Sequence, residues 1–170
     1  MNRTLLLTLT LFSCVACAMP LRENPSNTVK KQQLNRLTAQ KTTSAGRKIL
    51  QTGRYMALTS KEIVRGSCWD YINTVYTRAG YPQAKRRYVL KGQKNKGPYA
   101  KADMIRPGDW LYYINHSYHN VPHSGIFVRW VNKQKRLASI LSYGGESRRK
   151  PGRYRNYKLS HVYTIIRAKN

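Results

Sequence analysis

The residue best equipped for covalent chemistry is Cys68, in the stretch "IVRGSCWDYINTVYTRAGY", far from the two other cysteines, Cys14 and Cys17. A thiol becomes a strong nucleophile at neutral pH when an imidazole within about 3 to 4 Å takes its proton, and the pair can then cleave amides by acyl transfer. The chain has four imidazoles to offer: His116, His119, His123 and His161. The first three are spaced three and four apart, which on a helix would be a metal-ligand pattern. Asn115, Ser117, Asn120 and Pro122 make the stretch a loop instead, so neither a metal site nor a cofactor is expected. Three readings of Cys68 stand side by side: a catalytic thiol, a small buried apolar residue, or an intermolecular disulfide partner.

The neighbours of Cys68 place it. Gly66-Ser67 interrupts the preceding segment, and Ser67 followed by Asp70 is a capping box, so a helix starts with Cys68 in its first turn. Trp69, Ile72, Val75, Tyr76 and Ala79 recur at helical spacing, and Gly80 ends the run before Pro82. Free N–H groups at a helix start favour negative charge and therefore thiolate, and the Cys68 N–H is a natural donor to the oxyanion of amide cleavage.

Downstream, "RPGDWLYYI" runs a turn into a strand, a polar loop follows, and a second strand opens at His123. The turn "NKQKR" leads to a third strand, "LASILSY", and "HVYTIIRA" makes a fourth. Strand alternation puts His123 and Gly125 on one face, with room left beside the imidazole by the glycine. The fold class is α+β: helical segments first, then an antiparallel sheet of about four or more strands on one core. The segment "KGQKNKGPYAK" between helix and sheet reads as a surface loop.

The N-terminus reads as an export signal. Residues 1–18 have Arg3 as a basic start, an apolar run from Leu5 to Phe12, and Ala16 and Ala18 before a cleavage point. The run is too short for a retained transmembrane helix. Cleavage after Ala18 makes the protein periplasmic or secreted, with Cys68 as its one thiol; retention of Cys14 or Cys17 as an acylated first residue is the alternative. Residues 19–43 are polar and basic, a flexible lead or marginal helix, and residues 44–170 suffice for one compact domain.

A cysteine opening a helix that ends in Ala-Gly, then "RPGDWLYY", then "HSGIFV", resembles the NlpC-type cell-wall peptidases and the related cysteine, histidine-dependent amidohydrolases, over about Tyr55 to Arg167. The resemblance implies a papain-like fold, Cys68 as nucleophile and His123 as base. Where the family usually has Asp-Cys-Ser-Gly, this chain reads Ser67-Cys68-Trp69-Asp70, closer to the amidohydrolase style. It also implies a polar residue on the next strand to orient the histidine, which by position is Ser142, or Glu146 just beyond. Tyr55 matches a cleft tyrosine of the family or is a packed aromatic. Trp69 and His119 are further candidates for the cleft, although His119 also fits a solvated loop, and His161 is read as structural.

Charge is the other strong signal. Lysine and arginine number 32 against six acids, and loss of Arg3 with the signal leaves a net +25. Such an excess attracts polyanions, and outside the cytoplasm these are wall polymers, lipopolysaccharide or free nucleic acid. No nucleic-acid-binding module is recognisable. The sequence therefore points to an exported, monomeric thiol amidohydrolase acting on peptide or amide bonds of peptidoglycan. The alternative is a non-catalytic cationic module that binds the wall or another polyanion on the same fold.

Overall fold

The computed structural model describes residues 42–169. The signal segment and all but the last two residues of the basic lead lie outside the described residues. Helix α1, Ser44–Arg54, is capped by Thr43, whose hydroxyl accepts from the Gly46 N–H at 3.0 Å. It runs into a single π-helical turn, Tyr55–Thr59. Helix α2, Cys68–Arg78, begins and ends where its caps require: Ser67 precedes it, and Gly80 follows at φ 90°, a left-handed conformation that glycine adopts without a Cβ clash.

Six strands follow: β1 Arg86–Lys91, β2 Trp110–Asn115, β3 Val121–Asn132, β4 Leu137–Ser142, β5 Arg153–Lys158 and β6 Val162–Ala168. They form one sheet in the order β1-β6-β2-β3-β4-β5, every neighbouring pair antiparallel. Among the described residues the protein is thus α+β, with two α-helices and a six-stranded antiparallel sheet. Among the described residues no helix is long and apolar enough to cross a membrane.

Alternation along the strands makes two apolar faces. Trp110, Ile126, Leu141, Tyr143 and Ile166 pack with Ile49 and Met56 of the first helical segment and with Tyr71, Ile72, Val75 and Tyr76 of α2. On the other face, Leu111, Tyr113, Phe127, Ile140, Tyr157 and Ile165 meet Ala100 and Ile105 from the β1–β2 connection. One buried ion pair fastens the ends of this arrangement. Asp109, 1 % exposed, accepts from the Arg167 guanidinium at 2.7 and 2.8 Å and from the Arg106 N–H at 2.7 Å.

The space expected beside Gly125 is not there. A Cβ at Gly125 would run into Ile140 Cγ2 and stand 2.9 Å from the Leu141 carbonyl oxygen, because β4 crosses the glycine at close range. The residue serves strand packing, not substrate access. Gly125→Ala is therefore expected to lower stability by about 1–3 kcal/mol through overpacking, measured by chemical denaturation.

Candidate active site

Cys68 and His123 come from opposite parts of the chain and meet where α2 begins. Ser67 Oγ accepts from the Trp69 N–H at 3.2 Å, while Asp70 Oδ2 accepts from the Ser67 N–H at 2.7 Å and from the Ser67 hydroxyl at 2.8 Å. These bonds hold the Asp70 carboxyl below its ordinary range and fix the first turn. They also leave the Cys68 N–H among the helix-start donors that no capping group takes.

The His123 ring and the Ser124 hydroxyl and N–H lie close enough to the sulfur to act on its charge. Burial works against a charged sulfur here. His123 and Ser124 together outweigh it and bring the thiol down to about 7. Both Cys68 and His123 are only partly buried, so a reactant can reach them. Ser124 is 2 % exposed, and among the described residues its hydroxyl has no hydrogen-bond partner.

His123 pairs with Tyr113 across β2 and β3, and its ring lies 5.6 Å from Tyr113 and 5.8 Å from Tyr157 between centroids. The two tyrosines lie 5.4 Å apart, so the imidazole leans on a packed aromatic pair. The Tyr157 hydroxyl in turn shares a 3.1 Å hydrogen bond with Ser142. Ser142 thus approaches the histidine through Tyr157, as a residue that positions the ring's neighbour.

Glu146 acts on the other member of the pair. Its carboxylate accepts from the Gly66 N–H at 3.1 Å, and its own N–H donates to the Gly66 carbonyl at 2.8 Å. Gly66, at φ 101°, is the turn just before the cap. Tyr143 adds a third tie, its hydroxyl donating to the Val64 carbonyl at 2.7 Å. The β4–β5 connection thereby holds the segment that presents Cys68. Glu146→Gln, which weakens the charge-assisted bond, is expected to slow alkylation of Cys68 about two- to fivefold while leaving the thiol pH profile in place, measured by iodoacetamide labelling.

The remaining candidates spread outward. Trp69, 45 % exposed, stands close enough to act on the Tyr112 hydroxyl and packs 5.7 Å from Trp110. Tyr55 sits in the π-helical turn with its ring exposed, so it is not a packed core aromatic. His119 lies in the β2–β3 turn at φ 50°, exposed against Tyr118. His116 bonds to Asn120 and to His161, each at 2.8 Å, and this pair joins the β2–β3 turn to the approach to β6. Among the described residues no group of three or more metal-ligating side chains converges.

Ser124, Tyr113 and Tyr157 were not anticipated from the sequence. Ser124 is the neighbour of His123 and could have been weighed, but Tyr157 lies on a strand that the charge pattern hid. Comparisons of the chain with protein-family models, with curated proteins and with solved structures find no match.

Proposed function

We propose that the protein is a cysteine-dependent amide hydrolase whose nucleophile is Cys68 and whose general base is His123. The observation that carries this reading is the half-buried sulfur at a helix start, beside the His123 imidazole and brought down to about 7 by His123 and Ser124 against the effect of burial. The helix cysteine facing a sheet histidine is also the arrangement that a papain-like fold of the NlpC type would supply. In the reaction, His123 takes the proton from Sγ and the sulfur attacks the amide carbonyl. The Cys68 N–H stabilises the developing oxyanion. As the C–N bond breaks, His123 returns the proton to the leaving amine and a thioester remains. Water then attacks the thioester, its proton passes to His123 and on to the sulfur, and the acid departs.

Peptidoglycan is the substrate we favour, reached after export and cleavage of residues 1–18. Charge supports an anionic polymer. Each acid in the described chain is already engaged: Glu62 with Arg78, Asp70 in the cap, Asp103 with Lys133, Asp109 with Arg167 and Glu146 with Gly66. The surface field is then that of lysine and arginine. The test is digestion of purified peptidoglycan, with products identified by mass spectrometry and Cys68→Ala as control. New amine termini that the control lacks support the reading. Wall binding without any product, from several wall types, would move the protein to a cationic, non-catalytic module.

A further inference from the structure

A row of aromatic rings leads away from the sulfur across three neighbouring strands. Trp69 follows the nucleophile, packs 5.7 Å from Trp110 on β2 between ring centroids, and stands close enough to act on the Tyr112 hydroxyl. Tyr112 stacks on Trp110 at 5.7 Å and 14°, and lies 6.3 Å from Tyr163 on β6. Tyr88, on the edge strand β1 beside β6, makes no ring contact with these residues but is near enough to Tyr112 to act on its hydroxyl; it is 59 % exposed, with Lys91 Nζ 5.4 Å from its ring centroid. Both Tyr112 and Tyr163 stand near enough to Cys68 to feel a charge on the sulfur. The aromatics therefore begin beside the reacting centre and reach solvent at Trp69 and Tyr88.

Core packing accounts for Trp110 but not for Trp69 and Tyr88, whose faces are left to solvent. Flat rings edged with phenol and indole hydrogen-bonding groups suit a ligand that is flat, partly apolar and rich in hydroxyl or amide groups. We propose that Trp69, Tyr112, Tyr163 and Tyr88 form a saccharide subsite that seats a sugar ring of the substrate. Since the row starts at the sulfur, the ring it seats must be joined within a few bonds to the amide being cut. On the hydrolase reading, on which this inference rests, the favoured bond is the amide between a sugar-borne acyl group and the peptide. Cleavage passes the acyl group, still on its sugar, to Sγ and releases the peptide with a free amine. Water then frees the sugar-borne acid.

The test uses the purified protein carrying Cys68→Ala, titrated with a peptide-free N-acetylhexosamine oligomer while tryptophan fluorescence is followed. The oligomer is expected to bind. Tyr88→Ala should weaken it about tenfold, while Tyr88→Phe, which keeps the ring, retains most of the affinity, both with unchanged thermal midpoints. No binding, equal binding by Tyr88→Ala, or binding only of a free stem peptide or a single-stranded oligonucleotide would overturn the subsite. The two proposals fail separately. Wall cleaved only within the peptide, with no oligomer bound, overturns the subsite and leaves the hydrolase. Slow, ordinary alkylation of Cys68 with oligomer bound through Tyr88 overturns the hydrolase and supports the subsite.

Discussion

Replacing His123 with alanine is expected to lower the rate of amide cleavage by about 10²- to 10⁴-fold, the usual contribution of a positioned general base. The change removes the group that both shares the sulfur's proton and stabilises its charge. Burial then acts on Cys68 with only Ser124 to oppose it, so the thiol rises from about 7 toward its ordinary value of 9.0. At neutral pH most of the sulfur would be protonated. His123 is partly exposed near the start of β3, so the loss should fall on turnover far more than on folding. Steady-state rates and a denaturation curve on the same sample check both halves. Cys68→Ala, lacking the nucleophile altogether, is expected to show no thioester and no turnover.

The largest expected effect on stability comes from the Asp109–Arg167 pair. Arg167→Ala leaves a carboxylate buried at 1 % exposure with the Arg106 N–H as its remaining partner, and removal of one member of such a pair costs about 3–5 kcal/mol. That is a large part of what a domain of this size has. The deficit should depend on pH in a definite direction. Burial raises the Asp109 carboxyl above its ordinary value, and loss of the guanidinium raises it further. A group raised in the folded state contributes its stability below the unfolded pKa and loses it as pH rises through the folded one. The gap between wild type and Arg167→Ala is therefore expected to narrow as pH falls into the carboxylate range, measured by urea denaturation across pH. Asp109→Ala, which strands the guanidinium instead, should show no such narrowing.

The parts of this structure that follow from local rules could be read from the chain. Ser67 and Asp70 announce the start of α2, Gly80 its end, and "WLYYI", "LASILS" and the final apolar run each supply a strand. Two strands were hidden. β1 and β5, "RRYVLK" and "RYRNYK", look like solvated charge clusters because they are the two edges of the sheet, where basic side chains discourage pairing with another chain. A bulge between Tyr88 and Leu90 further breaks the alternation of β1. With β5 hidden, Tyr157 could not be seen behind His123, and Ser142 and Glu146 stood as the polar residues to orient it. Likewise Asp109 read as a turn residue, which its bond to the Arg106 N–H bears out. Its partner Arg167, fifty-eight positions away, is a matter of tertiary packing that no local pattern carries. The same limit applies to Glu146, whose contact with Gly66 closes across eighty positions.

The central claim is that Cys68 is a thiolate made by His123, and the pH dependence of its alkylation tests this most directly. With iodoacetamide, the account predicts a rate that rises to half its plateau near pH 7 in the wild type, and near pH 9 in His123→Ala. A wild-type midpoint already near pH 9, unmoved by loss of the imidazole, would contradict it.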